Sequence, residues 1–391
     1  MADYPLKELD NMTPLQAAHT TSMDTIATRG KIGMVQTIPH GLSPGSDIAN
    51  LSILGYDPNH YLTGRAVYEA ASAGVTLETT DMAFRCNLVT LKDRNTTTVM
   101  EDYSAGHIAT DVARKIITEL NSRLGSNEIQ FYPGVSYRHL MVWKGGPETL
   151  ETTPPHDITG RDANSYLPRG EGSDTIRTLM KEAQHILTEI PFENEGVNAS
   201  KNSANAIWLW GQGKPINFHT FREKFGLTGS VISAVDLIKG IGVTLGLTSV
   251  TVPGATGYLD TNYLGKAEYA LEALHHKDFV FVHVEAPDEA AHTGNLDNKL
   301  RAIEDFDSKV VKTVLEGIKQ FDEYKVMVLP DHRTPIVKKT HTSEPVPFAY
   351  MCSNTVSERS HPLIEFNEVS AEKSGLIVDP GSHLMDLFIE S

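Results

Sequence analysis

The chain has 391 residues, 40% of them hydrophobic and 21% charged, and carries a net charge of −16. That length supports more than one packed unit, and the acidic balance argues against nucleic acid or anionic membranes as partners. Cys86 and Cys352 are too few for a disulfide framework, no stretch approaches the ~20 apolar residues of a membrane span, and MADYPLKELD has neither the basic nor the apolar region of a signal peptide. The expected setting is a reducing cytoplasm.

From the start, residues 11–18 and a segment from 21 read as short helices, the second capped near Ser22 or Asp24. Residues 32–38 form an apolar strand that runs into a loop of glycine and proline, 39–47, before helical residues 48–54. Strand, tight loop and helix start surround the Ser46 hydroxyl with free N–H groups, a setting that binds phosphate and stabilises developing negative charge. Ser46 is therefore a candidate nucleophile, although the loop by itself fits a plain N-cap equally. Turns over 55–65, a helix at 67–73 and a strand at 82–91 lead out of this region. The texture then changes. A helix at 114–121, strands at 129–132 and 137–143, a turn-rich connection over 148–172 and a helix at 175–187 make an α+β block. Residues 191–205 are polar and rich in asparagine, the composition of a return linker.

Strand and helix then alternate again: a strand at 206–210, a strand-to-helix element at 230–242, a strand at 249–253 and a helix at 266–274. Residues 279–284 have the β-branched and aromatic make-up of a buried strand. The chain turns at Glu285-Ala286-Pro287 and delivers Asp288 and His292, one turn apart if a helix starts there. Such an oxygen and nitrogen pair suits Mn²⁺ or Zn²⁺. A long amphipathic helix follows, apolar at 296, 300, 303, 306, 310, 314 and 318. A second strand, 325–329, ends in Pro330-Asp331-His332, with His341 shortly after. Open α/β sheets place their sites beyond the carboxyl ends of strands. Asp288, His292, Asp331, His332 and His341 provide most of two metal sites. The alternation on both sides of the inserted block reads as a parallel sheet covered on both faces.

The stretches Pro-Gly-Ser46-Asp-Ile-Ala-Asn-Leu, Ala-Pro-Asp288-Glu-Ala-Ala-His292, Pro-Asp331-His332 and Thr-His341-Thr-Ser-Glu-Pro-Val-Pro-Phe together resemble the cofactor-independent phosphoglycerate mutases. They look most like the archaeal-type branch, within the alkaline phosphatase superfamily. The resemblance spans essentially the whole chain, including Phe84-Arg-Cys-Asn, Tyr132-Pro-Gly-Val-Ser-Tyr-Arg-His, Pro155-His-Asp and Trp208-Leu-Trp-Gly-Gln-Gly. It implies an α/β fold with an alkaline-phosphatase-like, mostly parallel sheet covered by helices on both faces. The expected layout is a metalloenzyme core over 1–85 and 200–391, with an inserted α+β substrate-capping domain at 86–199. The implied activity interconverts 3-phosphoglycerate and 2-phosphoglycerate without 2,3-bisphosphoglycerate, in glycolysis and gluconeogenesis. Ser46 would carry the phosphoryl group. Asp288, His292 and His341 would bind one Mn²⁺, and Asp331 and His332 a second, whose shell Ser46 completes; Zn²⁺, Co²⁺ and Mg²⁺ are alternatives. The small phosphorylated substrate needs basic residues, for which Arg65, Arg85, Arg138 and Lys239 are candidates. The motifs do not separate a mutase from a homoserine kinase-like phosphotransferase or a hydrolytic phosphatase. Oligomeric state is not readable.

One departure from the family pattern stands at the beginning. The family's first strand ends in Asp-Gly-Met-x-Asp, whose first aspartate binds the second metal, and Met1-Ala2-Asp3 matches only the tail. The expectation is a hydrophobic strand ending in Asp-Gly ahead of Met1; otherwise the chain is a variant with a weakened second site, or a non-catalytic metal-binding remnant. Asp3 corresponds to the motif's second aspartate and is not counted as a ligand.

Overall fold

In the computed structural model, residues 1–94, 97–189, 204–355 and 363–391 are described. Among them the β-branched and aromatic runs form twelve strands: β1 (Lys31–Val35), β2 (Asp81–Arg94), β3 (Thr97–Asp102), β4 (Ile129–Val135), β5 (Arg138–Lys144), β6 (Ala206–Gly213), β7 (Gly229–Ile232), β8 (Thr248–Ser249), β9 (Phe279–Val282), β10 (Lys325–Val328), β11 (Val346–Cys352) and β12 (Ile377–Val378). Contacts divide the chain into two units, 1–62 with 218–391, and 63–217.

The first unit holds two sheets. One has the order β10-β11-β1-β12 and the other β8-β7-β9. The second is wholly parallel, with Gly229 opposite Phe279 and Ile232 opposite Val282. In the first, only β11 runs against its neighbours, pairing Lys31 with Tyr350 and Val328 with Ala349. Helices follow the strands and cover them. The Ser46–Ile53 helix comes after β1, Asp236–Thr244 after β7, and Ala286–Thr293 after β9. Gly242 shows how closely they pack: a Cβ there would lie 2.5 Å from the Val231 side chain, so only glycine lets this helix settle on β7. The long amphipathic stretch is one helical run, Leu296–Asp305 and Lys312–Gly317 joined through a π turn at Phe306–Val311. Met34, Val35, Phe348 and Tyr350 centre the core.

Two readings of the sequence shift here. The strand expected at 249–253 is only the two residues of β8, and β11 was not read as a strand because prolines punctuate its start. Pro347 is tolerated because β10 ends opposite Ala349, so no strand flanks that side of Pro347.

The second unit is an antiparallel sheet in the order β3-β2-β5-β4, with β6 also paired to β2. The Thr110–Leu124 and Ser173–Glu189 helices bury Ile116, Ile117, Leu120, Ile176 and Ala183 in one core with Phe84 and Trp208. This α+β unit is larger than expected. Residues 63–85 belong to it, with the Arg65–Ser72 helix, and so does β6. The expected border at 85/86 falls inside β2, a strand of 14 residues that no turn interrupts. The border at 199/200, and most of the linker expected at 191–205, lie outside the described residues. Among the described residues no helix is long and apolar enough to cross a membrane.

Candidate metal centre

Ser46 is the first residue of its helix, with extended Gly45 before it at the cap position. It therefore does not serve as the N-cap, and no side chain caps this helix. Its hydroxyl instead lies 3.0 Å from Nε2 of His332. One turn on, the Asn50 amide donates to the Ser46 carbonyl at 2.8 Å and to Oδ2 of Asp331 at 3.1 Å. The serine at the helix start is thus tied to the residues that follow β10.

The residues after β9 reach the same place. The helix Ala286–Thr293 starts with Pro287 in its first turn, and Oδ2 of Asp288 lies 3.1 Å from Nε2 of His292. Nε2 of His341 is 3.5 Å from Oδ1 of Asp288 and 2.9 Å from Nε2 of His292. Asp288, His332 and His341 bring one donor atom each within 4.8 Å of the others. The five ligand-type residues read from the sequence therefore converge on one cluster. The structure groups His332 with Asp288 and His341, and its Nε2 also lies 3.4 Å from Oδ2 of Asp331. His332 thus sits between the two expected sets.

The hydrogen bonds settle the tautomer of His332. Thr334 donates its hydroxyl proton to Asp288, so its oxygen accepts from Nδ1 of His332 at 3.2 Å. Nε2 then carries the lone pair and accepts from Ser46. For His292, Nδ1 donates to the Lys339 carbonyl at 3.0 Å, which again leaves Nε2 towards the cluster. Lone pairs of imidazole and carboxylate pointing at one small volume are what a divalent cation requires, and nitrogen with oxygen donors suits Mn²⁺ and Zn²⁺. The residues present fit a metal.

The electrostatics fit a cation too. Burial opposes ionisation of Asp288, but hydrogen bonds from His292 and His341 and the nearby His332 hold its carboxyl well below the usual range. The hydrogen bond to Asp288 in turn raises His292 to about 9, against partial burial, so a cation taken up there displaces the proton on Nε2. Burial also works against the Asp331 carboxylate, yet His332 and His283 bring it below its ordinary value.

Sequence reasoning missed several neighbours. Glu285 is pushed up to about 8 by burial and by Asp288 and Asp331, and with Asp288 and Glu289 it makes a second carboxylate group. His283, lowered to about 4 by burial, lies 3.3 Å from Glu285 and 3.1 Å from the Ser233 hydroxyl. Both Glu285 and His283 stand in the quoted strand-and-turn stretch, so nearness to the ligands was the available signal. Asp3 is wholly buried and paired with the equally buried Lys299 at 2.7 Å, which commits it to a structural ion pair.

Of the basic candidates, Arg65, Arg85 and Arg138 lie in the second unit. Arg85 stacks on Trp210 with 4.0 Å to the ring centroid and bonds Glu69 at 3.0 Å. Burial lowers its pKa, Glu69 opposes this, and Arg65 and Arg138 are near enough to add to the lowering. Tyr137 under Arg138, and His156 against Trp210, complete a cationic and aromatic cluster. Lys239 is in the first unit, paired with Asp236 at 3.3 Å, on a helix that packs against the Ser46 helix.

A helix-borne serine beside carboxylates and imidazoles at the ends of strands places the protein among the α/β enzymes of alkaline-phosphatase-like fold. Comparison with known proteins narrows the class. The family profile of 2,3-bisphosphoglycerate-independent phosphoglycerate mutase matches residues 27–193. A probable enzyme of that name from Geobacter sulfurreducens is 50% identical over all of this chain and 97% of its own length. The enzyme of that name from Methanosarcina barkeri is 51% identical, with the same coverage. A solved Pyrococcus horikoshii structure aligns with a TM-score of 0.80 at 26% identity, over 100% of this chain and 94% of the other. The cofactor-independent phosphoglycerate mutase of Thermoplasma acidophilum aligns at 0.66 and 25%, over 100% and 96%. The chain belongs to the 2,3-bisphosphoglycerate-independent phosphoglycerate mutase family.

Proposed function

We propose that the protein interconverts 3-phosphoglycerate and 2-phosphoglycerate through a phosphoserine at Ser46. The contact of the Ser46 hydroxyl with Nε2 of His332, 3.0 Å away at a helix start, supports this reading most directly. Asp288, His292 and His341 would hold one divalent ion, and Asp331 and His332 with Ser46 a second, Mn²⁺ foremost. When bound, such ions neutralise phosphoryl oxygens and favour the ionised serine.

The chain's own groups define the rest. Ser46 Oγ forms a bond to phosphorus as the bond to the C3 oxygen of the glycerate breaks, and the serine proton ends on the C3 hydroxyl. The C2 hydroxyl then attacks the same phosphorus, the Ser46–phosphorus bond breaks, and a proton returns to Ser46. His332 orients the hydroxyl, and the helix start favours the charge that develops there. Asn50 holds the serine's backbone against Asp331. The carboxylate and phosphate of the substrate are assigned to Arg65, Arg85 and Arg138, with Lys239 as a further cation. Arg85 is preorganised for this by Trp210 and Glu69. The region 63–217, larger than the 86–199 read from the sequence, is the candidate for the substrate-capping part. The setting proposed is cytoplasmic, in glycolysis and gluconeogenesis, in keeping with two buried cysteines.

The test is an enolase-coupled assay with 3-phosphoglycerate and Mn²⁺, beside ATP with homoserine and a phosphate-release assay. Mutase turnover without added 2,3-bisphosphoglycerate is the expected result. Turnover only with homoserine, or release of phosphate without 2-phosphoglycerate, would replace it.

A further inference from the structure

Deep in the first unit, Asp3 and Lys299 form an ion pair in which neither side chain reaches solvent. Removing both charges from water offsets much of their attraction, so a pair this deep is a weak source of stability. Its contacts show what it holds. The Lys299 ammonium donates to Oδ2 of Asp3 at 2.7 Å, to the Thr334 carbonyl at 2.9 Å and to the Ala2 carbonyl at 3.4 Å, which uses all three of its protons. Asp3 accepts the Ile336 N–H on Oδ2 at 3.1 Å, and its carbonyl accepts from the Arg333 guanidinium at 3.4 Å. The pair therefore grips residues 333, 334 and 336, the loop that follows Asp331 and His332.

Thr334 stands in the middle of that grip, wholly buried. Its hydroxyl proton goes to Oδ1 of Asp288, since an ionised carboxylate only accepts, and its oxygen takes the Nδ1 proton of His332 at 3.2 Å. A hydrogen-bonded line thus runs from the Ser46 hydroxyl through His332 and Thr334 to Asp288, its direction set at the carboxylate end. At the other end a serine hydroxyl accepts as readily as it donates, so Ser46 does not decide which ring nitrogen holds the proton. Thr334 decides it. We propose that Thr334 is a positioning residue of the metal centre. Held by the Lys299–Asp3 pair, it keeps the proton of His332 on Nδ1 and turns the Asp288 carboxylate, so that one residue of each cation set presents lone pairs. This role rests on the reading of His332 and Asp288 as cation ligands. Metal-ligating imidazoles depend on such partners for their tautomer and ring orientation, and losing one weakens metal binding by about 10–100-fold.

The experiment compares the full-length protein with Thr334→Val, which keeps the shape and removes the hydroxyl, and Thr334→Ser, which keeps the hydroxyl. With ¹⁵N-labelled histidine and no metal, NMR reads the His332 tautomer from its ring nitrogens, the signals being assigned by their loss in His332→Gln. Wild type and Thr334→Ser are expected to hold the proton on Nδ1, and Thr334→Val to move it to Nε2. Calorimetric titration with Mn²⁺ is expected to give affinities within twofold for wild type and Thr334→Ser, and at least tenfold weaker binding for Thr334→Val. A merely structural threonine would lower the stability of Thr334→Val in chemical denaturation and leave tautomer and Mn²⁺ affinity where they were, which would overturn the proposal. So would an Nε2–H tautomer in the wild type, or a Thr334→Ser protein that behaves as Thr334→Val is expected to. If Thr334→Val does not fold, the wild-type tautomer and the Thr334→Ser affinity decide. Wild-type protein that takes up no Mn²⁺ would overturn the ligand reading itself, whereas an unmoved tautomer in Thr334→Val overturns only the role of Thr334.

Discussion

The two units use their sheets in opposite ways. In 63–217 every strand leans on a large shared core, with Trp208 1% exposed and its indole N–H donating to the Thr153 carbonyl at 2.8 Å. In the first unit the strands beside the candidate site are short, and β9 stays half-buried. The difference teaches where sequence is spent on stability and where on chemistry. β3, β4 and β5 of the second unit end in turns, whereas β9 and β10 lead to Asp288 and Asp331, whose largely buried carboxylates oppose folding unless a cation or an imidazole answers them.

Substitutions can break or sharpen this contrast. The largest expected effect is Ser46→Ala, which should lower kcat by at least ~10³-fold if the serine is the nucleophile while leaving bound metal within twofold by elemental analysis; retained activity would count against the phosphoserine route. Next, Asp288→Ala should reduce metal content at least tenfold and abolish turnover, because it withdraws the carboxylate shared by His292 and His341. An unchanged metal stoichiometry would remove Asp288 from the ligand set. Among structural changes, Trp208→Ala should cost about 3–5 kcal/mol in urea denaturation. Val280→Ala on the bare edge should cost under about 1 kcal/mol, since a half-buried valine has less to lose. Equal costs would mean that the two sheets are equally consolidated.

A further effect is a pH dependence within the second unit. His139 accepts a hydrogen bond from Gly134 N–H and is lowered by burial from 6.5 to about 4. Between those values the unfolded chain binds the proton and the folded one does not, so stability rises with pH across this window and falls as acid is added. The slope approaches ~1.4 kcal/mol per pH unit at most. His139→Gln should flatten that part of the stability profile, as seen by chemical denaturation at pH 4.5 and 6.5. An unaltered profile would assign the acid lability to other groups.

Much of the site was legible because its residues sit on simple periodicities. Asp288 and His292 are one helical turn apart, and Asp331 and His332 follow a strand directly. Ser46 was ambiguous; the cap position belongs to Gly45 instead, and the Ser46 hydroxyl lies beside His332. What sequence could not show was partnership across distance. Nothing local pairs Thr334 with both Asp288 and His332, or Asp3 with Lys299. The border read at 85/86 falls inside β2, which continues through it without a turn signal. β11 was hidden by its prolines. The bare edges of β9 and β10 are properties of pairing, which composition does not record.

The central claim is that Ser46 itself carries the phosphoryl group between two oxygens of one substrate. Rapid quench of the Mn²⁺-loaded protein with 3-phosphoglycerate labelled with ³²P, followed by peptide mapping, tests it directly. The account predicts transient label on the peptide containing Ser46, appearing before 2-phosphoglycerate and vanishing as the substrate is exhausted. Label on another residue, or 2-phosphoglycerate formed at full rate with none on Ser46, would contradict it.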